Sequence, residues 1–171
     1  MTPLREAAAH ELAGLGSALP AAFSEALAAP DGASRTRQAG HLTASGVVLD
    51  PAGACVLLVL HRKVGLWLQP GGHVDDTDAS LATAALREAA EETGVPGLVV
   101  DPVPVDLDRH PAPCGAREHL DVRFLVRAPA LVAPVVSEES LDVRWWPVDA
   151  LPEQRVDLSP LVRAGLARLR A

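Results

Sequence analysis

The stretch GGHVDDTDASLATAALREAAEETGV, residues 71–95, combines a glycine turn with a helix-forming segment. Residues 80–93 are rich in alanine, leucine and glutamate and contain no proline or glycine. Because these residues lose little freedom on entering a helix, their composition predicts a helix. Ser80 suits the N-cap, and Gly94 suits the left-handed position just beyond the last turn. A glycine turn followed by a helix with defined ends is therefore expected.

Three carboxylates share one face of this helix. Glu88, Glu91 and Glu92 are three and four positions apart, so their side chains lie within about one turn of one another. Carboxylates this close repel each other unless a positive charge lies among them. Mg²⁺ takes oxygen ligands and keeps room for phosphate oxygens, so a magnesium site is one interpretation of this face, and an ordinary solvated helix face is the other. Arg87, four residues before Glu91, is placed to brace it.

This region resembles the Nudix box, whose pattern is glycine, five residues, glutamate, seven residues, then Arg-Glu-aliphatic-x-Glu-Glu-x-Gly-aliphatic. Residues 87–95, REAAEETGV, match every specified position of the second half. The first half begins at Gly72 and departs in two ways, because Asp78 replaces the glutamate and eight residues rather than seven precede Arg87. The extra residue falls in the loop before the helix, where an insertion is readily absorbed.

The resemblance implies an enzyme that hydrolyses a nucleoside diphosphate linked to another group, with Mg²⁺, or Mn²⁺ in its place, as cofactor. It implies that Glu88, Glu91 and Glu92 bind the metal together with the Gly72 carbonyl. Arg87 would orient Glu91 or Asp78. The general base would be a glutamate of the box or an acid from a later loop, for which Glu138 and Glu139 are candidates, and Glu139 is taken as the catalytic one.

Other side chains are candidates for substrate binding. His73 follows the glycine turn, His119 alternates with Asp121 along a strand-like run, and Arg62 is one of several arginines suited to phosphate. Trp67 could stack on a base, although a large aromatic side chain is more often part of a core. Weaker candidates of the same kinds are Arg117, Arg123, Trp145 and Trp146.

The flanking sequence indicates an α/β domain. Apolar residues at helical spacing in residues 3–29 predict one or two helices, broken around residues 14–20. Strands are predicted over residues 41–49, 55–61, 65–69, 98–105, 119–126 and 141–147, and a last helix begins at Ser159-Pro160. Together with the box, this order implies a Nudix-type α/β/α sandwich with a mixed β-sheet over residues 40–171. Residues 1–39 form an N-terminal helical extension, for which covering the sheet, shaping the pocket and a homodimer contact all remain open.

Composition excludes several other classes. The chain has 171 residues, 49% of them hydrophobic, and a net charge of −7 without a basic stripe, which argues against nucleic-acid binding. A small phosphorylated nucleotide is the expected partner. The sequence has no signal-peptide pattern and no apolar run long enough for a membrane span, so a cytoplasmic protein is expected. Cys55 and Cys114 form no CxxC pair and indicate neither a zinc site nor a disulfide framework.

Two competing functions use the same fold. A sensor would bind a nucleotide derivative without cutting it, but such a protein would not need the four charged residues of the box helix. A diphosphate isomerase would need a catalytic cysteine opposite an acid, and Cys114 lies in a predicted loop rather than at a strand end. Hydrolysis is therefore the favoured function, and the base and the group beyond the diphosphate are selected by loops outside the box.

Overall fold

A seven-stranded mixed sheet lies between helices in the computed structural model, which describes residues 2–15 and 18–171. The elements in chain order are α1 (Pro3–Ala13), α2 (Ala21–Ala28), β1 (His41–Leu49), β2 (Cys55–His61), β3 (Trp67–Leu68), β4 (Gly71–His73), α3 (Leu81–Thr93), β5 (Val99–Pro111), β6 (Glu118–Arg127), β7 (Ser140–Pro147) and α4 (Ser159–Leu169).

Strand β1 is the centre of the sheet. It runs parallel to β6 along its whole length and antiparallel to β2 at one end and to β4 at the other. The order β3-β2-β1-β6-β5 forms the main path, and β7 pairs with β2. This arrangement places β4, with its two glycines, beside the first half of β1 and directly before the loop that enters α3.

The side chains of β1 alternate between two helical layers. Leu42 and Ala44 pack with α3 and with the N-terminal helices, whereas Val47 and Leu49 pack in a second cluster with α4. Because packed layers cover both faces of β1, the strand is buried along its whole length. The expected α/β/α sandwich with a mixed sheet is confirmed.

The predicted strands 41–49 and 55–61 and the box helix are confirmed. The N-terminal segment forms two helices, although residues 16–17 of the predicted break lie outside the described residues. The prediction for residues 65–69 was too long, because Gly65 adopts a positive φ in a turn and the strand is Trp67–Leu68. Among the described residues, no helix combines the length and apolar character needed to cross a membrane.

Strand β5 is longer than predicted. It continues past residue 105 to Pro111, paired with β6, and the added part carries the polar side chains Asp106, Asp108 and His110. Arg123 of β6 forms ion pairs with Asp106 and Asp108, at 3.1 and 2.9 Å. The acids therefore have partners in the sheet, and a prediction based on apolar residues alone ended the strand too early.

The N-terminal helices contact the box helix directly. The Glu11 carboxylate of α1 accepts hydrogen bonds from the backbone N–H groups of Leu81 and Ala82, both at 3.0 Å. Ser80 caps the next free N–H, that of Thr83, in a capping box. The first N–H groups of a helix have no partner within the helix, and a negative charge there also complements the helix dipole. Glu11 therefore stabilises the start of α3 from outside residues 40–171.

We expect the Glu11→Ala substitution to lower the free energy of unfolding by about 1 kcal/mol, because two backbone donors lose their partner. Urea denaturation of the two proteins measures the difference. Glu25→Ala on the exposed side of α2 is the matched control and is expected to change stability little. Equal losses in both variants would contradict a capping role for Glu11.

Candidate active site

Arg87 connects the box helix to the loop that precedes it. Its Nε and Nη2 atoms donate to the two carboxylate oxygens of Asp78, at 3.1 and 2.8 Å, and Nη2 also donates to the His73 carbonyl at 2.9 Å. The Asp78 side chain is only 5% exposed. The loop therefore absorbs the extra residue and still brings Asp78 against Arg87 in a two-bonded ion pair.

The remaining guanidinium nitrogen of Arg87 faces the acidic cluster. Nη1 donates to Glu88 Oε1 at 2.8 Å and to Glu91 Oε2 at 3.2 Å. The expectation that Arg87 would pair with Glu91 or Asp78 was too narrow, because a single guanidinium contacts both of them and Glu88. Its planar fork is suited to several carboxylates at once, which a lysine could not match.

Glu92 is the most buried acid of the cluster, with 5% of the residue exposed. Its Oε2 atom accepts a hydrogen bond from the Gly71 N–H at 3.1 Å. Burial, together with the nearby charges of Glu88, Glu139 and Glu91, raises the pKa of Glu92 to about 8 despite that hydrogen bond. Burial also raises the pKa of Glu88, which Arg87 partly offsets. Both shifts arise mainly from burial, and the neighbouring acids add to them.

The donor set of this cluster fits a hard divalent cation. Glu88, Glu91 and Glu92 provide carboxylate oxygens at three different depths, from buried Glu92 to Glu91 with 60% of its side chain exposed. A Cβ atom at Gly72 would lie 2.7 Å from Glu88 Oε2, so the Gly72 backbone lies directly beside this carboxylate. Oxygen ligands with uncompensated negative charge are the chemistry that Mg²⁺ prefers.

Glu139 lies near this cluster, in the loop before β7. Its charge contributes, after burial, to the raised pKa of both Glu88 and Glu92. Glu139 is exposed to solvent. Glu139 therefore remains the candidate loop acid.

Arg62 holds the loop that carries Glu139. Its guanidinium donates to the backbone carbonyls of Glu138 and Ser140, both at 2.9 Å, and its own N–H donates to the Glu139 carbonyl at 3.1 Å. These contacts place Arg62 on the backbone around Glu139, in a position to orient that acid. The backbone contacts alone explain the position of Arg62, and the predicted contact with a substrate phosphate stays a prediction.

The tryptophan side chains belong to the core. Trp67 is 7% exposed, packs edge-on against Trp146 with ring centroids 5.2 Å apart, and lies in the cluster with Leu158. The Trp145 indole N–H donates to the Val132 carbonyl at 2.8 Å. These placements favour core roles over stacking on a base, because little of the Trp67 ring is available to a ligand.

Asp121 belongs to a buried polar network on the α4 side of the sheet. Its carboxylate accepts hydrogen bonds from Thr43 at 3.1 Å, Ser45 at 2.6 Å and Arg123 at 3.1 Å. Gln69 also donates to it, at 3.4 Å. These hydrogen bonds all join Asp121 to other side chains of the protein. Asp121 therefore connects β6 to β1 and is not directed at a ligand.

His73 and His119 lie together, with two residues that the sequence did not single out for this place. His41 and Cys114 complete a cluster in which one ligand atom of each residue lies within 4.8 Å of the others. Burial is the main cause that lowers the pKa of His73 and of His119 to about 4. Cysteine spacing alone indicated no zinc site, and the fold brings Cys114 beside three histidines that come from distant strands.

Comparisons with known proteins agree with the geometry. The family model of the NUDIX domain matches residues 40–164. A 46-residue segment is 54% identical to the uncharacterized Nudix hydrolase NudL of Cronobacter sakazakii and covers 27% of this chain. The corresponding protein of Escherichia coli is 50% identical over 46 residues. The matched segment spans 24% of the length of each of these curated relatives.

Solved structures share the fold. An Ap4A hydrolase of C. elegans is 21% identical with a TM-score of 0.63, covering 75% of this chain and 97% of the other. The NUDIX domain of Shewanella oneidensis NrtR, solved with ADP-ribose, is 25% identical with a TM-score of 0.58, covering 85% of this chain and 97% of the other. An ADP-ribose pyrophosphatase of Streptococcus suis is 22% identical, with a TM-score of 0.58 and coverage of 76% and 92%.

Proposed function

Because this chain belongs to the Nudix family, we propose that it is a metal-dependent hydrolase that cleaves a pyrophosphate linkage in a nucleoside diphosphate derivative. The observation that carries the proposal is the cluster of Glu88, Glu91 and Glu92, braced by Arg87 and pressed against the Gly71-Gly72 backbone. A protein that only bound a nucleotide would gain nothing from three carboxylates facing a phosphate group.

The metal ligands in this proposal are Glu88, Glu91, Glu92 and the Gly72 carbonyl. Mg²⁺, or Mn²⁺ in its place, would neutralise pyrophosphate charge and make the attacking water more acidic. Arg87 keeps Glu88 and Glu91 at fixed positions and, through Asp78 and the His73 carbonyl, keeps the glycine turn against the helix. Phosphoryl transfer depends mainly on positioning and charge, so this rigid support is a direct contribution to catalysis.

Glu139 is proposed as the general base. In the reaction, the water oxygen forms a bond to one phosphorus, the bond from that phosphorus to the bridging oxygen breaks, and Glu139 accepts a proton from the water. An exposed carboxylate on a loop held by Arg62 can approach the bound substrate without giving up contacts of its own. In this proposal, His73, His119 and Arg62 hold the surrounding backbone in place and do not take part in the reaction itself.

We expect Glu139→Gln to lower kcat by about 100-fold while leaving measurable turnover, because the metal cluster is retained and only proton transfer is lost. Steady-state kinetics at saturating Mg²⁺ measures the effect. Glu138→Gln is the matched control, one residue away on the same loop, and is expected to keep wild-type kcat. If the two variants lost activity equally, Glu139 would not be the base.

Phosphate release from a nucleotide panel tests the hydrolase itself. The panel contains nucleoside triphosphates, ADP-ribose, dinucleoside polyphosphates, nucleotide sugars and capped RNA, each assayed with Mg²⁺ against the wild type and Glu91→Gln. The similar structures bear the names of an Ap4A hydrolase and an ADP-ribose pyrophosphatase, so these two substrate classes come first. Release by the wild type and not by the variant supports the proposal. If pure, metal-loaded protein cleaves none of the panel, the alternative of a non-catalytic nucleotide sensor replaces it.

A further inference from the structure

Three imidazoles and a thiol converge beside the glycine turn, apart from the carboxylate cluster. His41 begins β1, His73 ends β4, His119 lies at the start of β6, and Cys114 lies in the connection between β5 and β6. Their ligand atoms all lie within 4.8 Å of one another. The four residues therefore come from four separate segments and meet at one point.

Strand pairing explains why they meet. The parallel register of β1 and β6 pairs His41 with His119. The antiparallel register of β1 and β4 pairs His73 with Thr43, which lies two residues after His41 on β1. The three rings form a nearly equilateral triangle, with centroids 5.0 to 5.1 Å apart. The Cys114 Sγ atom lies 3.3 Å from His119 Nε2 and 3.9 Å from His41 Nε2.

Two hydrogen-bond observations indicate that a ligand is expected here. The buried Nε2 atom of His73 has no hydrogen-bond partner among residues 2–15 and 18–171, and such an atom is costly unless something binds it. His41 Nδ1 lies 3.3 Å from the Arg37 carbonyl. Because a carbonyl only accepts, Nδ1 is the donor in this contact, which leaves the Nε2 atom that faces Cys114 as the one available to a metal, as in a histidine ligand held by a backbone carbonyl.

We propose that His41, His73, Cys114 and His119 form a zinc site. Imidazole and thiolate ligands suit Zn²⁺, whereas Mg²⁺ requires oxygen, so the two clusters select different ions. In a tetrahedral zinc site with bond lengths of about 2.0 to 2.3 Å, ligand atoms are roughly 3.3 to 3.6 Å apart. The present separations need only small side-chain rotations to reach that geometry. Four protein ligands fill the coordination of zinc, which makes this a structural site.

The site would fasten the glycine turn to the sheet. His73 directly follows Gly72, and its carbonyl accepts the hydrogen bond from Arg87, so a metal bound by its ring fixes the backbone that lies against Glu88 and Glu92. It also ties the connection between β5 and β6 to β1. The effect on the carboxylate cluster rests on the proposed function, whereas zinc binding itself does not depend on it.

Metal content measures the site directly. The full-length protein, produced in zinc-supplemented medium with any affinity tag removed and washed in excess Mg²⁺, is expected to hold about one zinc per chain by mass spectrometry of the metal. Cys114→Ser and His119→Gln are expected to lose it. Two control variants are expected to retain zinc. Cys55→Ser changes the other free cysteine, and His110→Gln changes a residue outside the cluster whose ring meets that of His119 edge-on, with centroids 5.4 Å apart.

Cobalt substitution reports on the ligands. Co²⁺ added to metal-stripped protein is expected to give the intense visible bands of a tetrahedral site and a thiolate-to-cobalt charge-transfer band, which Cys114→Ser abolishes. Cys114 is exposed, so its replacement by serine leaves the packing of the fold intact, and circular dichroism verifies this.

A variant with Glu91→Gln and Glu92→Gln separates the two metal clusters. Zinc and the cobalt spectrum are expected to persist in it, even where hydrolysis is lost. Loss of zinc in this variant, or retention in Cys114→Ser, would place the ion on the carboxylates and overturn the proposal. A wild-type protein that binds neither zinc nor cobalt would overturn it as well. Each of these results can be obtained whether or not the protein proves to be a hydrolase.

Discussion

Glu92→Gln is expected to lower kcat by at least about 1000-fold while the metal-free variant unfolds at a temperature equal to or above that of the wild type. The two effects have opposite signs because the Glu92 carboxylate is needed to bind the metal ion, whereas in the metal-free protein its burial destabilises the fold. Glutamine has the shape of glutamate but supplies no negative charge to a metal ion.

The stability half of this expectation follows from the surroundings of Glu92. Its carboxylate is buried beside Glu88, and Glu91 and Glu139 add to the negative potential. The amide oxygen of glutamine can still accept the hydrogen bond from the Gly71 N–H, so no donor is left unpaired. The substitution therefore removes a carboxyl group whose raised pKa makes it less favourable in the folded than in the unfolded chain, and it opens no cavity.

Thermal unfolding with and without Mg²⁺, together with steady-state kinetics, measures both halves. Mg²⁺ is expected to raise the unfolding temperature of the wild type, because a ligand that binds the native state stabilises it. The Glu92→Gln variant is expected to lose most of this increase. Glu153→Gln, an exposed acid outside the cluster, serves as the control. Turnover of Glu92→Gln within about tenfold of the wild type would exclude Glu92 as a metal ligand.

The sequence predicted the box helix well because local rules determine it. Ser80 and Gly94 cap the helix as expected, and Glu88, Glu91 and Glu92 lie on one face because helical spacing alone dictates it. The strands over 41–49 and 55–61 were equally predictable, since long apolar runs on either side of a turn have few other solutions.

What could not be predicted depends on strand pairing. Asp106 and Asp108 of β5 both form ion pairs with Arg123 of β6, and no local pattern contains that information. Glu11 is an ordinary exposed acid in its own helix until tertiary packing brings it to the start of α3.

The histidine cluster shows the same limit at a candidate site. His41 and His119 are neighbours through the parallel register of β1 and β6, and Cys114 reaches them from a loop. Metal-site patterns in sequence rely on ligands a few residues apart. A site whose four ligands come from four segments leaves no such pattern, so the unpaired His73 nitrogen was visible only in three dimensions.

Arg87→Ala is expected to lower the free energy of unfolding by about 2 to 3 kcal/mol and to reduce kcat strongly. The loss comes mainly from Asp78, whose nearly buried carboxylate would keep its charge without its cation. Arginine and alanine are both good helix formers, so the substitution costs little in helix propensity. The value is below that of a fully buried pair because 27% of the Arg87 side chain is exposed to solvent.

Double-mutant cycles measured by urea denaturation identify the partner that matters. The cycle of Arg87→Ala with Asp78→Ala is expected to give a coupling of about 1.5 to 3 kcal/mol, because two charge-assisted hydrogen bonds join nearly buried groups. The cycle with Glu91→Ala is the internal control. It is expected to give about 0.5 kcal/mol or less, since the Glu91 side chain is 60% exposed and one bond of 3.2 Å joins the pair.

The two cycles also separate the two tasks of Arg87. A large coupling with Asp78 and a small one with Glu91 means that the arginine stabilises the loop ahead of the helix, and that its effect on kcat follows from the position of the glycine turn. Arg87→Lys should then lose most of the Asp78 coupling, because one ammonium group cannot reproduce the two-bonded fork. Equal couplings with both acids would mean that Arg87 serves mainly to hold the acidic cluster. The ion pair between Arg87 and Asp78 would then be weaker than its geometry suggests, as the one-residue insertion before the helix could cause.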